Sequence, residues 1–120
     1  MTEHRVFRPA GISYLRIPAE DPQASASFYE AAFGWRVRRD RDEPAFEDGT
    51  GHVIGHFMAE EESVRPYIFV ERLGETLEQI VTAGGEVVTQ PYREGDLTVA
   101  TFRDPGGNEI GVWQQGPMNS

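Results

Sequence analysis

The chain has 120 residues, with 20 acidic and 11 basic side chains, a formal charge of −9 and no cysteine. That length fits one domain, and the missing thiol excludes disulfides, thiolate metal sites, iron–sulfur clusters and cysteine nucleophiles together. The negative charge opposes binding to nucleic acid or to an anionic membrane surface and favours neutral or cationic small molecules.

No apolar run approaches the roughly 20 residues that span a bilayer. The start, MTEHRVFRPAG, carries no apolar stretch of the kind found in secretory signals, so a cytoplasmic protein with no membrane partner is expected. Residues 1–10 lack periodicity and read as a flexible arm. From Ile12 to Ile17 the side chains alternate as in a strand, and Pro18 ends the pattern. Asp21 is placed to cap a helix with Pro22 at its first position and Gly34 at its end. Its apolar stripe reads as Ala24, Phe28, Ala31 and Ala32. WRVRRD, AFED and HVIGHFMA follow as short strands separated by the turn-rich EP and DGTG.

Glu60, Glu61, Glu62 and Ser63 form an acidic junction that reads as a solvated linker without a site. Beyond it the pattern restarts. PYIFV reads as a strand, and LGETLEQIVTAGG as a helix with Leu73, Leu77, Ile80 and Val81 on one face. EVVTQ, LTVATF and NEIGVW read as three more strands. The order strand, helix, three strands thus occurs twice, and residues 116–120 are left as a tail. FEDGTGHVIGHF, from Phe46 to Phe57, aligns with FRDPGGNEIGVW, from Phe102 to Trp113, at one constant offset without a gap.

Two βαβββ modules, together with DPQASASFYEAAFGW after the first strand and FRDPGGNEIGVWQ in the last hairpin, resemble the vicinal oxygen chelate superfamily of glyoxalases, bleomycin-resistance proteins and dioxygenases. The resemblance spans residues 11–115, as modules 11–59 and 64–115 of a single domain. It implies an α+β fold in which curved mixed sheets surround a ligand cavity with helices outside, and it implies a homodimer. Metal-dependent members place cation ligands at strand positions that match Tyr14, Gly55, Tyr67 and Gly111. Glycine has no side chain to coordinate, and a neutral tyrosine is a poor ligand, so neither a metal nor another cofactor is expected.

Taking those four positions as cavity-facing fixes their strand neighbours. Arg16, Val53, Phe57, Phe69, Glu109 and Trp113 would join them, while Leu15, Ile17, Ile54, Ile68, Val70, Ile110 and Val112 would pack under the helices. His52 and His56 would share a strand about 13 Å apart, too far to chelate one ion. His56 would face the helix layer or a partner chain, and His4 lies in the arm. The inward aromatics either line a ligand site or fill a core.

Two functional readings follow. The first is metal-independent binding of a hydrophobic, aromatic or cationic small molecule, resembling the bleomycin-resistance branch, with Tyr14, Arg16, Gly55, Phe57, Tyr67, Phe69, Gly111 and Trp113 around the ligand. The second is a lyase or isomerase of the glyoxalase superfamily, either metal-free with Glu109 as general base or with an unusual metal site. No serine sits in a nucleophile-elbow context, and no phosphate-binding glycine loop is present.

Overall fold

A computed structural model describes residues 6–40, 42–59 and 62–118. The chain divides into two compact units, one built on Ser13–Pro66 and the other on Phe7–Ile12 with the chain from Tyr67 onward. The elements run β1 (Gly11–Pro18), α1 (Pro22–Phe33), β2 (Arg36–Arg38), β3 (Ala45–Glu47) and β4 (Ile54–Met58), followed by β5 (Arg65–Phe69), α2 (Leu73–Thr82), β6 (Glu86–Glu94), β7 (Leu97–Arg103) and β8 (Glu109–Gln115). This is the twice-repeated βαβββ order of an α+β fold.

In the first unit the strand order is β2-β3-β4-β1, with β1 parallel to β4 and the other pairs antiparallel. Helix α1 begins where the sequence says it should: the Asp21 carboxylate accepts the Ala24 N–H at 3.2 Å, and Pro22 follows it. Gly34 ends the helix in the left-handed region at φ 70°, donating its N–H to the Glu30 carbonyl. Beneath the helix, Ala26, Phe46 and Phe57 form a buried cluster joined by Leu15, Ile17, Tyr29, Trp35 and Val37. Tyr29 stacks on Trp35 at 4.7 Å and Trp35 on Phe46 at 4.9 Å, so a run of near-parallel rings fills the space. The stripe expected to face inward is turned outward: Ala24, Ala31 and Ala32 are exposed and Phe28 is 58 % exposed. Ala26 and Tyr29 take the inward positions because the large rings of Trp35 and Phe46 select that side of the helix.

In the second unit the order is β5-β8-β7-β6, with β5 parallel to β8 and the remaining pairs antiparallel. Leu73, Ala100 and Val112 are the buried cluster against α2, with Val70, Leu77, Phe102 and Met118 around them. Val81, expected on the inward stripe, is largely exposed near the helix end. Arg72 offers α2 no side-chain cap. The cap comes instead from β8, where the buried Gln114 accepts the Leu73 N–H on Oε1 at 2.7 Å and donates from Nε2 to the Pro117 carbonyl at 2.7 Å. Through Pro117, and through Gly116, whose carbonyl accepts the Thr98 hydroxyl at 2.6 Å, the segment after β8 is tied to the sheet as far as Met118.

Residues 1–5 of the expected arm, with His4, and Glu60 and Glu61 of the acidic junction lie outside the described residues. From Val6 onward the arm is docked: Val6 is buried and the Phe7 ring lies against Phe69 and Trp113. Among the described residues no helix is long and apolar enough to cross a membrane.

Candidate functional site

Strand pairing decides which side chains can meet. Parallel partners share a face, so Leu15 with Gly55 and Ile17 with Phe57 point toward α1, whereas Tyr14, Arg16, Ile54 and His56 point to the opposite, helix-free face. The expected grouping of Gly55 and Phe57 with Tyr14 is therefore corrected. Phe57 is fully buried, 5.4 Å from the Tyr29 ring and 5.0 Å from Phe46. A Cβ on Gly55 would collide with the Leu15 carbonyl and the Phe46 ring, so glycine is required there by close packing rather than by ligand space.

The cause is one residue in a turn. In the second unit the Asp104 N–H donates to the Asn108 carbonyl at 2.9 Å; in the first the Asp48 N–H reaches Val53 at 2.9 Å, one residue further along. The Asp48 carboxylate organises that longer turn by accepting from the N–H of Thr50, the Thr50 hydroxyl and the Gly51 N–H at 3.1, 2.7 and 2.9 Å. His52 thus belongs to the turn and not to a strand. Because strand side chains alternate, the extra residue exchanges the faces of everything after it. His56, paired with Arg16 and Ala45, stands where Gly111 stands in the second unit, paired with Tyr67 and Thr101. The gapless alignment of the two halves had matched Gly55 to Gly111 and sent His56 to the wrong side.

On the helix-free face of the first unit, the Tyr14 hydroxyl and His56 Nδ1 lie 2.8 Å apart. The Arg16 guanidinium sits 5.9 Å from the centre of the Tyr14 ring, in cation–π range. Next to them is a groove of about 480 Å³ lined by Arg36, Arg38, Asp40, Ala45, Glu47, Ile54 and His56, together with Phe46 and Gly55. Arg36 approaches Glu47 at 4.0 Å and Arg38 approaches Asp40 at 3.3 Å. Both arginines are mostly exposed, 87 % for Arg36, so these pairs are weak and a bound anion can compete for the guanidinium groups. The sequence contained this signal: in Arg36-Val37-Arg38, Val37 packs into the core and alternation sends both arginines to the other face.

In the second unit, Tyr67, Phe69, Glu109, Gly111 and Trp113 share the helix-free face by register. Tyr67, Phe69 and Trp113 are all buried, Trp113 at 5 % exposure. Phe69 meets Trp113 edge-on at 4.8 Å, and a Cβ on Gly111 would strike the Tyr67 ring. Glu109 stands at the start of β8 opposite Arg103, whose guanidinium donates to Glu86 at 3.0 Å. Of the residues expected at a site, the groove takes in Gly55 alone; Tyr14 and Arg16 flank it through His56, and the three second-unit aromatics pack against neighbours in their own unit.

The cation implied by the metal-dependent relatives does not fit these residues. Among the described residues no three His, Asp or Glu side chains converge, and the group bonded to His56 Nδ1 is a phenol, a poor donor to a divalent ion.

No curated protein matches the sequence. Among solved structures, the chain is similar to an NAD-dependent benzaldehyde dehydrogenase from Legionella pneumophila (12 % identity, TM-score 0.66, covering 85 % of this chain and 97 % of that one). It is also similar to a variant of Streptomyces coelicolor methylmalonyl-CoA epimerase in complex with 2-nitronate-propionyl-CoA (14 % identity, TM-score 0.67, covering 92 % and 100 %). A third is a glyoxalase/bleomycin resistance protein/dioxygenase superfamily member from Vibrio splendidus 12B01 (16 % identity, TM-score 0.64, covering 85 % and 97 %). At these identities the likeness speaks for the fold alone. The sequence pattern of one family matches residues 11–112, and by that match the chain belongs to the Glyoxalase/Bleomycin resistance protein/Dioxygenase superfamily.

Proposed function

We propose that the protein binds a small organic molecule without a metal, on the helix-free face of its first unit, and that the ligand carries an anionic or strongly polar group. The observation that carries this reading is the groove of about 480 Å³ with Arg36, Arg38 and His56 in its lining, a volume suited to a metabolite-sized ligand. The net charge of −9 favours cations at long range, but the contact surface is set locally. There Arg36 pairs at 4.0 Å with the half-buried Glu47 and Arg38 with the exposed Asp40, and both guanidinium groups stay largely in solvent, so a ligand carboxylate gains a fork of N–H donors at small cost. Ile54 and the edge of Phe46 supply the apolar part of the lining.

A thermal-shift panel of aromatic carboxylates, with matched aromatic amines as controls, tests this. Acids are expected to stabilise the protein and amines not to, and the Arg36→Ala/Arg38→Ala variant is expected to lose the shift. Stabilisation by amines alone, or a shift indifferent to both arginines, overturns the reading.

One observation favours a second reading, that of an isomerase. The Tyr14–His56 hydrogen bond brings a phenol and an imidazole to the groove edge, a pair able to relay a proton, and the superfamily fold also serves the S. coelicolor epimerase. In this reading His56 replaces Glu109 as the acid–base group. Loss of turnover of a substrate found by the panel in His56→Gln, with binding retained, would separate catalysis from simple binding.

A further inference from the structure

We propose that Met118 is an oxidation-sensitive latch: a hydroperoxide converts its thioether to the sulfoxide, which releases the segment 116–118 from the sheet and loosens the first turn of α2. The site lies in the second unit, on the α2 side of the sheet, and has no part in the groove of the first.

In a chain without cysteine, its three methionines are the sulfur that an oxidant can reach. Met1 lies outside the described residues, Met58 closes β4 opposite Pro18, and Met118 follows β8. Met118 is half-buried, which leaves it within reach of a small oxidant, yet its side chain packs against the buried cluster of Leu73, Ala100 and Val112, with Val70 and Leu77 around it. Gly74 makes this fit possible. A Cβ there would stand 3.3 Å from the Met118 methyl, so the thioether lies directly on the first turn of α2 where a larger residue would push it away.

The chemistry needs only a peroxide. A sulfur lone pair attacks one peroxide oxygen, the O–O bond breaks as the S–O bond forms, a proton passes to the departing oxygen, and hydrogen peroxide leaves as water. Sulfur gives up two electrons and the peroxide takes them. The product is a strong hydrogen-bond acceptor among hydrocarbon side chains, which offer it no donor. The Leu73 N–H at the start of the helix is already given to Gln114 Oε1 at 2.7 Å. The sulfoxide is therefore more stable in water than in its packed position.

Its departure is felt at the cap because both hang on one side chain. Gln114 donates from Nε2 to the carbonyl of Pro117, the residue before Met118, at 2.7 Å. Gly116 is tied to the sheet by its N–H, which donates to the Asp96 carbonyl at 2.7 Å, and by its carbonyl, which accepts the Thr98 hydroxyl at 2.6 Å. Arg72 gives α2 no side-chain cap, so once Pro117 moves away Gln114 loses the contact that steadies it against the Leu73 N–H. The second unit thereby carries a redox-dependent stability in a chain with no thiol to supply one.

The test exposes the whole protein to hydrogen peroxide, locates the added oxygen by peptide mass spectrometry and follows amide hydrogen exchange. Oxidation at Met118 is expected to speed exchange of the Leu73 and Gly116 N–H groups about tenfold while β1 to β4 keep their protection. Reduction by methionine sulfoxide reductase with dithiothreitol is expected to restore the slow rates. Met58→Leu should respond as the unaltered protein does, whereas Met118→Leu should keep slow exchange after the same treatment. Met118→Gln, which puts an amide at the place of the sulfoxide, is expected to show the fast rates without oxidant. Met118 sulfoxide formed with exchange at Leu73 and Gly116 unchanged or slowed, fast exchange persisting in peroxide-treated Met118→Leu, slow exchange in Met118→Gln, or Met118 left intact at a dose that oxidises Met58, overturns the proposal.

Discussion

The Tyr14 hydroxyl and His56 Nδ1, 2.8 Å apart on the same face of paired parallel strands, join two residues 42 positions apart in sequence. When the phenol donates to Nδ1, the neutral imidazole carries its proton on Nε2; when Nδ1 carries the proton, the phenol oxygen accepts it, so the roles in this bond follow the His56 tautomer.

Tyr14→Phe removes that hydrogen bond with little change in ring packing. It is expected to shift the His56 tautomer populations, read from imidazole 15N chemical shifts, while those of His52 stay unchanged. The stability cost, from urea denaturation, is expected near 0.5–1.5 kcal/mol, about the net value of one hydrogen bond. Unchanged 15N shifts at His56 would mean that the hydrogen bond is absent in solution.

Phe57 is a core residue, and its truncation should behave as one. Its ring contacts Tyr29 and Phe46 beneath α1, with no exposure to solvent. Phe57→Ala is expected to cost roughly 3–5 kcal/mol in chemical denaturation. In ligand titrations of the fraction that remains folded, the affinity is expected to be unaltered. A variant of normal stability with impaired binding would return Phe57 to the site face.

Gln114 is the cap that α2 lacks in its own sequence. Gln114→Leu keeps the volume but strips partners from the Leu73 N–H and the Pro117 carbonyl. The buried Leu73 N–H left bare costs about 1–3 kcal/mol, whereas the carbonyl of the exposed Pro117 can turn to water. Hydrogen exchange should show the loss concentrated in the first turn of α2 and in the segment after β8, whereas a uniform loss of protection would contradict the capping role.

Asp104 links the β7–β8 turn to pH. The Asn108 backbone N–H, followed by its side-chain amide, holds the Asp104 carboxyl below its ordinary value of 3.8, with Gly106 and Gly107 N–H groups adding to the effect. A folded value below the unfolded one means that the unfolded chain binds more protons in between, so the contribution is complete above 3.8 and is lost as pH falls through the folded value. The stability advantage of the unaltered protein over Asp104→Asn is therefore expected to be constant at neutral pH and to shrink in acid. An advantage that persists unchanged into strong acid would show that the carboxylate charge is not its source.

The sequence by itself determined the two βαβββ modules, the start and stop of α1 and the turns at Asp48 and Asp104, because these rest on local chemistry: a capping carboxylate, a proline at the first helical position, a left-handed glycine. It also contained the arginines of β2 in their alternation about Val37. Only the tertiary structure decided which strand faces meet the helices. In the first unit a single extra turn residue between Asp48 and Val53 reverses the face of β4 relative to its counterpart, burying Gly55 and Phe57 and bringing His56 to Tyr14. Strand side chains repeat every two residues, so one residue of register moves a whole strand's chemistry from one side of a sheet to the other, and pairing with a distant strand is what fixes that register.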